Sequence, residues 1–263
     1  MLAAERRNLI LEKLQDEKKV VVNELSELFG VSEETIRRDL DKLEKEGMAS
    51  KTYGGAVLVE NNNADMPFSV RKKKNMQGKR VIADIIQSLI TDGDHIIVDP
   101  STTAVSIVKA LKGKKRLTIV TNSIEVLVVL TDAPGWDVIS TGGTLRENYL
   151  ALVGPKALEG IHSFNADKAI ISCKGIDMDK GITDANEMFS QVKKAMLHSA
   201  KQKILAVDST KFEKIAFSQI CEIAELDMVV TDVKPSDAWL EYFKDKGIIC
   251  LYGEEDEGYS ICK

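Results

Sequence analysis

Cysteine is scarce and unpatterned in this chain. Cys173, Cys221, Cys250 and Cys262 contain no C-x-x-C spacing, and the three histidines, His95, His162 and His198, lie far apart. Those absences argue against a zinc module and a disulfide scaffold, leaving reduced thiols packed in a core. No apolar run approaches the roughly 20 residues of a membrane helix. The first residues carry no apolar core ahead of a small-residue cleavage site, so the expectation is a cytoplasmic protein with no membrane contact. Neither a G-x-G-x-x-G after a strand-like run nor a G-x-x-x-x-G-K-[ST] loop is present, and no histidine or cysteine stands in a nucleophile motif. No catalytic residue, cofactor or metal is expected.

What is there is an ordinary globular composition, 44% hydrophobic and 29% charged over 263 residues, enough for one large or two smaller domains. The net charge of −5 does not advertise a nucleic-acid partner. Its distribution is uneven, however. Arg37, Arg38, Lys42, Lys45 and Lys51 form one basic cluster, and Arg71, Lys72, Lys73, Lys74, Lys79 and Arg80 form another. A locally positive surface is compatible with an acidic protein. The second cluster reads as a solvated helix start or as a further contact to DNA backbone or an anionic ligand.

The stretch 31–47, VSEETIRRDLDKLEKEG, organises the N-terminal part. Ser32 suits a helix cap, Glu33 and Glu34 suit the positive end of the helix dipole, and Ile36, Leu40 and Leu43 make one apolar stripe. The opposite face presents Thr35, Arg37 and Arg38 in the first turns, where a helix in the major groove carries its reading residues. Alone, that face reads more readily as an ordinary solvated one; its neighbours reverse the balance. Residues 3–17 read as a helix with Leu9, Ile10 and Leu14 inward, and 19–22 as a short β-branched edge strand. Asn23 is expected to cap a helix containing Leu25, Leu28 and Phe29 that stops at Gly30. Residues 48–58 read as a hairpin with a Gly54-Gly55 tip. Helix, strand, helix, tight turn, helix and hairpin is the order of a winged helix-turn-helix, with Ile36, Leu40 and Leu43 against Ile10, Leu25 and Leu28. The candidate DNA-contact residues are Ser32, Glu34, Thr35, Arg37, Arg38, Lys42, Lys51 and Tyr53, the last two toward phosphate or sugar beside the groove. Asp39 is expected to partner an arginine rather than read a base.

Residues 60–66, ENNNADM, are polar and aperiodic, and 59–77 is assigned as a linker between a DNA-binding domain (1–58) and a larger domain (78–263). From residue 78 an apolar helix stripe at Ile82, Ile85, Ile86 and Leu89 is followed by short apolar strands at 95–98, 117–120, 136–139, 169–172, 204–207, 228–230 and 248–251. Helices at 103–111, 124–130, 187–199 and 237–246 alternate with them. The fold class is a small α+β winged helix-turn-helix domain followed by a larger α/β domain with a mainly parallel sheet.

Ligands of open parallel sheets bind beyond the carboxyl ends of the strands. The residues there are Asp99-Pro100-Ser101-Thr102-Thr103, Thr121-Asn122-Ser123, Thr141-Gly142-Gly143, Cys173-Lys174-Gly175, Asp208-Ser209-Thr210-Lys211 and Thr231-Asp232. Each alone is better read as a turn. Together they predict an anionic small-molecule site, with Ser101, Thr102 and Thr103 opening a helix toward a phosphate, Lys174 and Lys211 as countercharge, and Asp99 and Asp208 for sugar hydroxyls.

Glu5-Arg6, the run 24–30, the segment from Ser32 to Leu40 and Tyr53-Gly54-Gly55-Ala56 resemble the DeoR family of bacterial transcriptional regulators. The strand-end segments above, with Gly154, Gly175-Ile176-Asp177, Gly181-Ile182-Thr183 and Phe212, resemble that family's effector domain. The resemblance implies a domain like ribose-5-phosphate isomerase sensing a phosphorylated sugar through Asp99, Ser101, Thr102, Thr103, Asn122, Thr141, Gly142, Gly143, Lys174, Asp208 and Lys211. It implies a repressor that binds operator DNA as a homo-oligomer, dimer or tetramer. Two positions depart from the family pattern: Ser101 stands where a glycine is common, and Lys174 where a small or neutral residue is. Lys193 and Lys194 stand where isomerase-like enzymes place a carboxylate acid/base, which counts against isomerisation.

Overall fold

A computed structural model describes residues 2–45, 48–58, 67–254 and 259–262, which fall into two units, 1–74 and 75–263. In the first, α1 (Ala3–Glu17) leads through β1 (Lys19–Val21) to α2 (Val22–Phe29) and α3 (Glu33–Lys45). The hairpin β2 (Ala49–Thr52) and β3 (Gly55–Leu58) follows, then α4 (Phe68–Lys73). Strand β3 lies between β1 and β2, antiparallel to both. Ile10, Leu14, Leu25, Ile36, Leu40 and Leu43 share one core, so the stripe of α3 faces inward as its spacing requires.

Three expectations are corrected. Val21, not Asn23, precedes the first turn of α2, and among the described residues the Asn23 side chain accepts only from Glu24 N–H. The earlier start carries the stripe through Val22, Leu25 and Phe29, so Leu28 falls off it and is 62% exposed. The hairpin turns at Tyr53 and Gly54, whose φ is +91°; Gly55 is already strand, and a Cβ there would stand 2.0 Å from the Val20 carbonyl oxygen. The linker assignment also changes. Residues 60–66 lie outside the described residues, but 68–73 are helical, with Phe68 and Val70 buried and Val70 in the core of the first unit.

The second unit opens with α5 (Met76–Leu89), then β4 (His95–Val98), α6 (Thr102–Ala110), β5 (Thr118–Thr121), α7 (Ile124–Val129) and β6 (Asp137–Ser140). A small hairpin, β7 (Thr144–Arg146) and β8 (Ala151–Val153), precedes α8 (Pro155–His162) and β9 (Ala166–Ile171). Then come β10 (Gly175–Asp177), β11 (Gly181–Asp184), α9 (Glu187–His198), β12 (Ala200–Ala206) and β13 (Ser218–Cys221). The last elements are β14 (Met228–Thr231), α10 (Asp237–Asp245), β15 (Ile249–Gly253) and β16 (Tyr259–Cys262).

The main sheet has eight strands in the order β16-β15-β14-β12-β9-β4-β5-β6, parallel throughout except for β16. Its interior strands are buried on successive residues, Ile96, Ile97 and Val98 in β4 and all of β14, as a sheet covered on both faces demands. The chain builds outward from β4 to β6, then returns to place β9 on the other flank of β4. That reversal makes the β4/β9 boundary the topological switch point, the place beyond whose carboxyl ends open parallel sheets bind ligands. A separate antiparallel sheet, β10-β11-β13, rises beside it.

Candidate functional site

In the first unit the candidate surface is the outer face of α3 with the hairpin. Ser32 does cap the helix: its Oγ accepts from Thr35 N–H at 3.3 Å and lies 2.9 Å from Thr35 Oγ1. Arg37 and Arg38 both project to solvent, each held by the carboxylate one turn earlier, Glu33 at 2.6 Å and Glu34 at 3.1 Å. Lys42 is exposed on the next turn, and Tyr53 is fully exposed at the hairpin tip. Lys51 on β2 faces back to α3, its Nζ on Asp41 and its N–H bonded to Glu44 at 2.9 Å. The structure therefore brings the expected DNA-contact residues onto one side of the unit's helix and wing, with the apolar stripe opposite. Asp39 is inside, accepting from Arg6 Nε at 2.6 Å and Arg7 at 3.4 Å.

In the second unit every candidate loop follows a carboxyl end of the main sheet, in the spatial order Thr141, Asn122, Asp99, Ser172, with Asp208 and Asp232 beyond. At the switch point Asp99 is fully buried and both its oxygens are used: Oδ1 by Ser101 N–H at 3.2 Å, Oδ2 by Ser172 N–H at 3.0 Å and by Lys193 Nζ at 3.1 Å. A carboxylate so engaged organises the loops on either side of the switch point, with three of its roughly four acceptor sites taken. Its partner Lys193 is the residue whose function the sequence left blank. The ammonium also donates to Ser172 O at 2.6 Å and to Asp184 Oδ2 at 2.5 Å. Burial works against the Lys193 charge, but Asp184 and Asp99 outweigh it and hold the ammonium above the ordinary lysine range. Burial likewise opposes ionisation of Asp184, and Lys193 overcomes it, so that carboxyl lies below its usual value. The same burial pushes the neighbouring Cys173 thiol well up.

Ser101 fits its position without strain. Its backbone is extended, at φ −83°, and its Oγ caps α6 by accepting from Ala104 N–H at 2.9 Å. Thr102 and Thr103 behind it are buried. Asn122 is fully buried, with Nδ2 donating to Leu152 O at 2.8 Å, while Oδ1 receives no hydrogen bond from the described residues. An orphaned buried carbonyl of this kind costs about 1–3 kcal/mol until a donor arrives. Thr141 is buried beside it, and the two glycines that follow both have positive φ, +68° and +117°; a Cβ on Gly143 would meet Val153 O at 2.7 Å.

Lys174, half-buried, lies with Nζ 5.8 Å from the Tyr149 ring centroid, and its charge is felt by Asp184. Lys211 ends the single 3-10 turn Ser209–Lys211, which Asp208 caps by accepting from Thr210 N–H at 3.1 Å. Asp208 Oδ1 is thus engaged within its own loop. Sequence reasoning gave no binding role to Asp184, Lys193 or Tyr149; Lys193 is separated from Asp99 by several elements and reaches it only through the crossover, and Asp184 joins them through Lys193.

Comparison with known proteins adds the following. A family model described as the DeoR C terminal sensor domain matches residues 74–233, and one described as a DeoR-like helix-turn-helix domain matches residues 6–62. An uncharacterized HTH-type transcriptional regulator of Bacillus subtilis, YulB, is 38% identical over 94% of this chain and 96% of its own length. The HTH-type transcriptional repressor GlcR of the same organism is 35% identical, covering 98% of this chain and 99% of its own. The lactose phosphotransferase system repressor of Lactococcus lactis is 32% identical over 90% of this chain and 94% of its own. Among solved structures, ribose 5-phosphate isomerase A of Neisseria gonorrhoeae superposes with a TM-score of 0.40 at 12% identity, over 70% of this chain and 96% of that one.

Proposed function

Since the chain belongs to the DeoR family of transcriptional regulators, and is a DNA-binding regulator and not an enzyme, we propose that it represses a sugar-metabolism operon in the cytoplasm and is released by a phosphorylated sugar. What supports the effector half is the run of loops beyond adjacent strand ends: the orphaned Asn122 carbonyl after β5, the helix-opening Ser-Thr-Thr segment after β4, Lys174 after β9 and Lys211 after β12. The amides opening α6 and the two ammonium groups favour a phosphate, and Asn122 Oδ1 accepts from a sugar hydroxyl. Asp99, Asp184 and Lys193 fix the floor.

Glu34 sets Arg38, and Arg37, Arg38 and Thr35 face the major groove while Lys42, Lys51 and Tyr53 reach backbone. A homo-oligomer presents two such helices to half-sites about 34–36 Å apart or multiples of that. The effector acts by binding the DNA-competent and DNA-incompetent arrangements with different affinity.

Thermal unfolding of the full chain with glucose 6-phosphate, fructose 6-phosphate and ribose 5-phosphate tests the site. At least one is expected to raise Tm and to weaken binding to a duplex from upstream of the chain's own gene. Lys211→Ala is expected to lose the Tm shift and keep DNA binding; an undiminished shift in that variant removes Lys211 from the site.

A further inference from the structure

The strand end at Thr231-Asp232 takes no part in the proposed effector contacts, yet Asp232 accepts four hydrogen bonds there, one of them from Thr231 Oγ1 at 3.3 Å. It is 8% exposed and accepts from both sides. Oδ1 takes Ser209 N–H at 2.7 Å; Oδ2 takes Ser209 Oγ at 3.3 Å and Asn75 Nδ2 at 3.0 Å. Ser209 opens the turn that carries Lys211. Asn75 is the first residue of the second unit, joined covalently to Lys74, the last of the first.

The Asn75 side of this bridge is closely built. Asn75 holds a left-handed backbone, φ +46°, caps α5 by accepting from Gly78 N–H at 3.2 Å, and accepts Lys79 N–H on its carbonyl at 3.1 Å. Gly78 is glycine for a stated reason: a Cβ there would come within 2.3 Å of Asp232 Oδ2. The first turn of α5 therefore sits directly on the carboxylate that holds the Lys211 turn. One buried side chain reaches both the candidate effector loop and the point where the chain passes to the DNA-binding unit.

We propose that Asp232 is the coupling residue of this regulator. A ligand that draws on the Asp208–Lys211 turn changes the hold of Ser209 on Asp232, and Asp232 passes that change to Asn75 and the start of α5. The input rests on the effector reading given above; the mechanical link from Ser209 to Asn75 stands on its own. Charge-assisted bonds to one shared acceptor compete, so strengthening or removing one side alters the other. A passive brace between loop and helix would have the same static geometry, and only a response separates the two.

The link is tested first without any ligand, by amide hydrogen exchange on the full chain. Ser209→Pro removes both Ser209 donors to Asp232 and leaves Asp232, its bond from Thr231 and Asn75 in place. It is expected to speed exchange at Gly78 and Lys79 by about tenfold or more; wild-type rates there overturn the coupling.

Asp232→Asn tests the output. Whichever way its amide turns, it satisfies one neighbour and opposes the other, so the bridge opens at constant size. With whichever of glucose 6-phosphate, fructose 6-phosphate and ribose 5-phosphate stabilises the wild type, the variant is expected to keep its Tm shift. The effect of that sugar phosphate on DNA affinity is expected to fall to within about twofold of none. A wild-type response in Asp232→Asn overturns the proposal. Should that variant not fold, Asn75→Gly, which keeps the left-handed backbone at no cost, is read in the same way. If no sugar phosphate stabilises the wild type, the effector reading fails and the exchange experiment alone decides the coupling.

Discussion

Arg6 on α1 donates from Nε to Asp39 on α3 across 2.6 Å, with both side chains over nine-tenths buried. This pair fixes the recognition helix candidate from its inner side, while Ile36, Leu40 and Leu43 fix it by packing. Cutting one partner strands the other's charge, which in buried pairs costs about 3–5 kcal/mol. Asp39→Ala is therefore expected to lower the stability of the first unit by that order in urea unfolding of the full chain, and Asp39→Asn by less. A loss under about 1 kcal/mol would mean that the pair behaves as a surface one.

Arg37 and Arg38 have different neighbours but the same intrahelical tether. If either reads a base edge, its alanine variant is expected to lose about 1–3 kcal/mol on the preferred site and to relax preference at one position. Binding to a panel of single-base variants checks this. Equal loss across the panel assigns that arginine to phosphate.

Lys193 is the only cation shown contacting Asp99 or Asp184 directly among the described ion pairs. Its raised ammonium contributes stability that is fully present below the ordinary lysine value of about 10.4 and is lost as pH rises through the raised one. The lowered Asp184 contributes stability present above the ordinary aspartate value of about 3.9 and lost as pH falls through the lowered one. Across neutral pH the cluster is therefore constant. In Lys193→Met two buried carboxylates remain unpaired, at a cost of about 3–5 kcal/mol. Their protonation then favours the folded state, so this variant is expected to gain stability relative to wild type as pH is lowered from 8 to 5. Parallel pH dependence of wild type and variant would contradict the pairing.

Burial raises the thiols of Cys173, Cys221 and Cys250, the last two to about 12. Cys262 on the edge strand β16 is half-buried. A thiol-disulfide reagent at pH 8 is expected to modify Cys262 first in the native protein and the other three only on unfolding. Rapid native modification of a second cysteine would show that its strand opens.

Where single residues carried the signal, the sequence was readable. Residues 3–17 form a helix with the expected bounds because apolar spacing and the following β-branched run agree, and β4 occupies 95–98 as its apolar run indicated. Other boundaries moved by a few residues. β7, β8, β10, β11 and β13 are three or four residues long, and β7 is exposed throughout, so no run marked them. Leu28 misled because a cap signal at Asn23 competes poorly with the extended Val21 before it. In the site, the loops were legible as strand ends, but the commitments of Asp99 and Asp208 were not. Those depend on Lys193, Ser172 and Thr210, and for Lys193 on a partner delivered by the strand order rather than by neighbouring sequence.

The carboxylates one turn behind Arg37 and Arg38 make each guanidinium a contested group before any DNA arrives. An exposed pair of this i,i+4 kind is worth only about 0.3–0.5 kcal/mol, so a phosphate or a guanine edge, each able to offer a guanidinium two acceptors, releases the tether at small cost. The acids that lower the chain's net charge therefore serve α3 as restraints on two solvent-facing arginines.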